Sequence, residues 1–523
     1  MSAPEIRKLA EVITMEDTKL DLRKFSIGQR NRFFPRQEKV LMLLGETGTG
    51  KSTLINGLVN FIMGVNYRDK FRYKLVDDKT ERSQAHSQTK GITAYTFHKQ
   101  PGFKLPYSFT IIDTPGYGDT EGLERDKEIT KQIKEFFSIK GPEGIDHLNG
   151  IGFVVKASDC RLTVTQKYIF DSILSMFGKD FIQNIFMMVT FADGGDPQVL
   201  DAIAEANFTF QESFKFNNSA LFAKIIEKKS TFNSMYWEMG VASFEDFFTA
   251  FNRAKSVSLK WTKEVLEERE HLECVIQGLQ QNIQAGLSKA DQLHQEERVI
   301  KEHEKDLLTN KDFTYEVNVI IPCEVELDVG EHVSHCLKCN FTCHYPCYIA
   351  DNDQKARCKA MAKGNNPNCM VCPNQCHWSN HKNLRHRIEL RPGKVTRTSE
   401  ELKRRYYEAA SKKTAAENVT AGLKKDLQNL YLTVFGMLRQ ANRIIHRLEE
   451  IALRPNPLSE IQYIDLLIEA ERMEGKPNFQ QRISALNDVR KEAKILAEIK
   501  DERKIKRMLN DAATYCWQKL KIW

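Results

Sequence analysis

Apolar positions follow two rhythms along this chain. Between residues 38 and 255, runs of strand length, KVLMLL (39–44), FTIID (109–113), GIGFVVKA (150–157) and IFMMVTFA (185–192), alternate with helical patterns. Strands separated by helices predict a mostly parallel sheet with helices on both faces, an α/β domain. From 256 to 311 the chain is charged and almost free of proline and glycine. Leu272, Ile276, Leu279, Ile283, Leu287, Ala290 and Leu293 recur there at three- and four-residue steps, with Gly286 as a weak point, which predicts a coiled-coil-like helix. The β-branched stretch FTYEVNVIIPCEVELDVG (313–330) predicts one or two strands. Beyond Pro392 a helical pattern returns, and Leu423, Leu427, Leu430, Val434, Met437, Ala441, Ile444 and Leu448 form the cleanest heptad stripe. Such a stripe serves a buried bundle face or an intermolecular coiled coil, and the pattern leaves both open. Five segments follow: a polar extension (1–37), the α/β domain (38–255), a helical segment (256–311), short strands with a Cys/His module (312–395) and a second helical segment (396–523).

At 523 residues the chain exceeds a single core. Charged residues make up 28% but the formal net charge is only +7, so no single-signed field points to nucleic acid. An apolar stretch of signal or membrane length, about 18 residues, is missing, and a cytoplasmic protein is expected. Eight of the 12 cysteines fall between Cys336 and Cys376, a clustering that in the cytosol argues for metal before disulfides.

The strand KVLMLL runs into GETGTGKS (45–52) and out through the helix-forming TLINGLVNFIMG. Glycines in this setting let backbone N–H groups turn toward a polyphosphate at a helix N-terminus. Gly45, Glu46, Thr47, Gly48, Thr49, Gly50, Lys51, Ser52 and Thr53 are therefore candidate phosphate-binding positions, with Lys51 directed at the β- and γ-phosphates and the Ser52 hydroxyl at Mg²⁺. About 60 residues on, DTPGYGDT (113–120) ends the next strand: Asp113 can hold the magnesium ion through water, and the Gly116 N–H can meet the terminal phosphate.

GETGTGKS, DTPGYGDT and GLERDKEITKQIKEFF together resemble the septin-like branch of GTPases, the immunity-associated GTPases and septins, over residues 38–255. The resemblance implies a P-loop G domain that binds GTP or GDP with Mg²⁺ and pairs with another G domain across the nucleotide face. It also implies a magnesium-binding switch threonine, Thr89 in SQTKGIT with Thr93 as second choice. In TFAD (190–193) it makes Asp193 the guanine reader, with Phe191 where the family has lysine, and in FNNSALF it makes Ser219 and Ala220 a second base contact. The Phe191 replacement keeps an ATPase in play. Arg161 and Thr163 in SDCRLTVTQ resemble the Gly-Arg-aromatic-Thr segment of the immunity-associated GTPases, although Cys160 and Leu162 depart from it. The loop follows a strand at the C-terminal edge of the sheet, so if two G domains meet there Arg161 can reach the partner's phosphates. The other reading of Arg161 is a surface residue paired with Asp159.

Cys336/Cys339 and Cys369/Cys372 form two C-x-x-C knuckles, joined by Cys343, Cys347, Cys358, Cys376 and His381. Thiolates on tight turns hold tetrahedral Zn²⁺, and two knuckles imply two structural ions whose pairing the spacing leaves open. A slow GTPase whose nucleotide state controls the pairing of G domains into a homodimer or homo-oligomer is expected. Its rival is a nucleotide-binding scaffold whose zinc module and helices capture a protein partner.

Overall fold

The computed structural model describes residues 3–30, 37–76, 90–118, 123–224, 232–302, 312–362, 364–401, 415–455, 461–474 and 479–500. Two units divide the chain: Met1–Leu266 with Glu449–Ala493, and Glu267–Leu448 with Lys494–Trp523. The first unit runs β1 (Glu5–Lys8), β2 (Glu11–Asp17), β3 (Leu22–Ile27), β4 (Glu38–Gly45), α1 (Lys51–Ile62), β5 (Phe71–Lys74), β6 (Ile92–Phe97) and β7 (Ser108–Asp113). It continues through α2 (Leu123–Ser138), β8 (His147–Leu148), β9 (Gly150–Lys156), α3 (Val164–Ser175), β10 (Ile185–Thr190), α4 (Gln198–Glu205), β11 (Glu212–Lys215), α5 (Phe232–Arg253) and β12 (Val257–Ser258).

Eight strands form one sheet in the order β11-β10-β9-β4-β7-β6-β3-β2. Only β6 against β7 and β2 against β3 pair antiparallel. The alternation of side chains along a strand assigns the two faces. In β4, Val40, Met42 and Leu44 join a core with α2, α3 and α4, whereas Leu41 and Leu43 join one with α1 and α5. β10 divides likewise, Ile185, Met187 and Val189 from Phe186 and Met188. Burial on both faces is why these strands read as continuous apolar runs.

Two segment boundaries need correction. Residues 1–37 are not merely an extension, because β3 pairs parallel with β6 and β2 closes the sheet edge as a hairpin with β3. Polar residues dominate these strands because an edge exposes much of its surface.

Helix α6 (Lys260–Glu302) carries the chain into the second unit. There β13 (Thr314–Glu326) pairs antiparallel along its whole length with β17 (His386–Thr398), and a small sheet joins β14 (Ser334–Cys336), β15 (Phe341–His344) and β16 (His381–Lys382). Helix α7 (Ala415–Ile451) follows. Met437, Ala441, Ile444 and Leu448 of the heptad stripe are buried within the chain. A Cβ on Gly278 of α6 would meet Val371 at 2.2 Å and Met437 at 2.9 Å, so α6 packs on the cysteine-rich segment and on α7. That part of the stripe is an intramolecular face.

The second correction concerns the helices after α7. α8 (Ile461–Glu474) and α9 (Phe479–Lys500) send Ile464, Leu467, Ile468, Leu486 and Ala493 into the α2/α3 core of the first unit. The return is fixed by the Leu453 N–H, which donates to the Phe177 carbonyl at 2.8 Å. Among the described residues no helix is long and apolar enough to cross a membrane.

Candidate functional site

The loop after β4 folds onto its own lysine. Gly50 takes φ 85°, a left-handed value that favours glycine, and its carbonyl accepts the Leu54 N–H at 2.9 Å to start α1. Lys51 then projects back into the loop, and its Nζ donates to the carbonyls of Gly45 (3.1 Å) and Glu46 (3.0 Å). Burial lowers the Lys51 ammonium to about 8, against the opposing pull of Asp113 and Glu46. Thr49 Oγ1 donates to the Glu46 carbonyl, while Ser52 and Thr53 open α1 half-buried. Thr47 Oγ1 is buried with no hydrogen-bond partner among the described residues.

Asp113 ends β7 beside this loop, fully buried. The two motifs interlock: the Thr47 N–H donates to the Tyr117 carbonyl (3.0 Å) and the Tyr117 N–H to the Gly45 carbonyl (3.2 Å). Such an approach requires glycine at 116, since a Cβ there would stand 2.6 Å from Thr47 Cα and 2.4 Å from its Oγ1. Tyr117 turns into the core, its hydroxyl 3.3 Å from Met176 Sδ. Thr89 lies outside the described residues; Thr93 sits in β6 opposite Asp113.

The Arg161 loop is anchored by a residue that carries no motif. Gln166 and Thr163 form a reciprocal capping box at the start of α3. Gln166 Nε2 also donates to Asp159 Oδ2 (3.1 Å) and Glu46 Oε2 (3.3 Å), tying this loop to the phosphate loop. Burial raises the Asp159 carboxyl, and Arg161 itself is exposed. Sequence reasoning missed Gln166, whose only signal is the T-x-x-Q spacing of the cap.

At the ends of β10 and β11 the structure gathers the base-reading candidates. Thr190 Oγ1 donates to the Thr49 carbonyl (2.6 Å), holding TFAD against the phosphate loop. Phe191 is 61% exposed with φ 54°, and its ring lies 3.5 Å from where a Cβ of Gly50 would be. Asp193 is exposed and accepts the Gly195 N–H at 3.0 Å. Asn217, also missed, ties the two loops: its Nδ2 donates to the Ala192 carbonyl (2.8 Å), and its Oδ1 accepts from the Ser219 N–H (3.1 Å) and hydroxyl (2.6 Å). Ser219 is exposed and Ala220 buried.

In the second unit all eight clustered cysteines carry free thiols. Their donor atoms fall into three sets, each with members within 4.8 Å of one another: Cys336, Cys339, Cys372 and Cys376; Cys343, Cys369, Cys372 and His381; and His344, Cys347 and Cys358. The nine candidate ligands are all present, joined by His344. The hydrogen-bonding contact with Cys358 lowers Cys347 to about 4, and those with Cys336 and Cys343 lower Cys372 to about 5.

Residues 37–138, which carry both phosphate-binding motifs, match the family model described as Septin. This is a septin-like G domain. Septin-1 of Drosophila melanogaster is 36% identical over 83 residues, 16% of this chain and 20% of the relative. Septin-2 of Mus musculus is 35% identical over 82 residues, again 16% and 20%. The chain thus spans a fifth of the length of the curated septins it matches. Among solved structures, Toc33 from Arabidopsis thaliana in complex with Mg²⁺ and GMPPNP is 16% identical, covering 42% of this chain and 88% of that one, with a TM-score of 0.30. Its complex with GDP and Mg²⁺ is 15% identical over 43% and 88%, with a TM-score of 0.28. The septin match ends within α2, before Arg161, Asp193 and Ser219.

Proposed function

We propose that the septin-like G domain binds GTP with Mg²⁺ and hydrolyses it slowly, the nucleotide state governing the pairing of G domains into a homodimer or homo-oligomer. The observation that carries this reading is the interlock of the two loops, which sets Gly116 against Thr47 and places Asp113 within electrostatic reach of Lys51. These residues fit a polyphosphate: Lys51, Ser52 and Thr53 supply the first-turn N–H groups of α1, and the Lys51 side chain adds a point charge. Ser52 and Asp113 would hold Mg²⁺, which when bound supplies neutralising charge between the β- and γ-phosphates. Asp193 would read guanine from the loop that Asn217 braces, and the exposed Phe191 ring offers the base an aromatic face. Competition between GTP and ATP for the purified chain tests this assignment, with preferential displacement by GTP expected.

Slow turnover is supported by Tyr117. Many small GTPases orient the attacking water with a glutamine just after the glycine, whereas this side chain is packed into the core. The same observation favours the second reading, a scaffold that binds nucleotide with little or no hydrolysis. Turnover measured against protein concentration, together with nucleotide-dependent mass, separates the two.

We infer in addition that the Cys/His module holds zinc as a structural element. The donors fit, being free thiols and an imidazole clustered at metal-ligand spacing. A segment of this size has little core of its own, so the ion would contribute much of its folding free energy.

A further inference from the structure

We propose that the module carries a third metal centre, formed by His344, Cys347 and Cys358, in addition to the two that its C-x-x-C knuckles imply. The inference rests on the zinc reading above and concerns how the ligands are divided.

The first two donor sets each contain a knuckle residue and share Cys372. The third set shares no atom with either. His344 comes from the end of β15, Cys347 from the turn that follows, and Cys358 from beyond a short helical turn, Asn352–Arg357. Zn–S bonds of about 2.3 Å and a Zn–N bond of about 2.0 to 2.1 Å place tetrahedral S···S edges at about 3.8 Å and N···S edges at about 3.5 Å. Cys347 Sγ lies 3.8 Å from Cys358 Sγ, and His344 Nδ1 lies 3.3 Å from Cys358 Sγ. An alternative disulfide between the two cysteines would need a sulfur separation near 2 Å.

The surroundings suit two thiolates. Lys355 is fully buried, and its Nζ donates to the carbonyls of Val333 (2.6 Å) and Ile349 (2.5 Å) while standing 3.7 Å from Cys347 Sγ. A cation fixed beside one ligand sulfur stabilises its anionic form and orients it, as outer-shell partners do at metal centres.

Under this partition Cys372 would serve either of the first two sets, and the chain would hold three zinc ions instead of two. The test uses the full chain, reduced and loaded with zinc or cobalt(II), with metal counted by elemental analysis. Wild type should bind three ions, and His344→Ala and Cys358→Ser should each lose one and keep two. His344→Cys should keep all three and strengthen the thiolate-to-cobalt charge-transfer band, an outcome that a merely structural histidine would not produce. Two ions in wild type, unchanged in His344→Ala, would overturn the third centre and leave the zinc reading standing. No metal in any form would overturn both.

Discussion

Truncating Phe191 to alanine isolates the feature that most distinguishes the base end of this site. An aromatic side chain carries about 150 to 250 Å² of surface. With 61% exposed, about 90 to 150 Å² is available to a ligand. A base covers one face of the ring, roughly half of that, so at about 25 cal/mol/Å² the contact contributes about 1 to 2 kcal/mol. This agrees with base–aromatic stacking, about 1 to 3 kcal/mol per base. Phe191→Ala should therefore weaken GTP binding about 5- to 30-fold. Unfolding free energy should stay within about 0.5 kcal/mol, because the ring is outside the core. Phe191→Lys, which restores the family's residue with its aliphatic stem, should recover most of the affinity. Titration calorimetry with GTP and a chemical-denaturation series on each variant provide the two readouts. Unchanged GTP affinity in Phe191→Ala would show that no base stacks on this ring.

Four further outcomes are expected. Lys51 has a folded value of about 8 because burial disfavours the ammonium, against the ordinary 10.5. Its burial penalty is therefore fully present below about pH 8, and stability rises between about 8 and 10.5, where the unfolded chain holds the extra proton. Nucleotide affinity should do the reverse, level below about pH 8 and falling above it, since only the ammonium pairs with phosphate; an affinity that rises through that range in a binding titration contradicts the assignment. Gly116→Ala forces a Cβ against the Thr47 backbone and should cost about 1 to 3 kcal/mol in denaturation experiments while impairing nucleotide binding; a variant of wild-type stability and affinity would refute the interlock. If Arg161 acts across a G-domain pair, turnover per molecule rises with protein concentration and Arg161→Ala removes the rise without weakening GTP binding, whereas a concentration-independent rate in wild type supports the scaffold. Cys336→Ser and Cys369→Ser should each lower zinc content, and chelation should unfold the module while sparing the G domain, as followed by limited proteolysis.

The two glycine-bearing loops were legible because each is built from contiguous residues. Strand, glycine loop and helix are contiguous from Lys39 to Ile62, and the second loop needs only a strand end and a glycine. Other features depend on distant partners. Nothing within EIRK or EVITMED marks a strand that must find β5 or β3, since their exposed faces carry little apolar pattern. Ile464, Leu467 and Ile468 show helical spacing, yet that spacing does not name the surface they cover. Gln166 and Asn217 act by bracing, through polar contacts formed only when separate loops meet. His344 is one of five histidines beside the cysteines, and spacing does not single it out, whereas the fold brings its ring to Cys358 across 14 residues.

The return of α8 and α9 to the first unit also orders events during synthesis. About 180 residues separate Leu266 from Glu449, so the apolar face of α2 and α3 must wait for its cover until the whole intervening unit has left the ribosome. Contacts so distant in sequence form late and leave sticky surface exposed meanwhile. That face of the first unit stays uncovered through most of synthesis, and a chain terminated before residue 461 lacks its cover permanently.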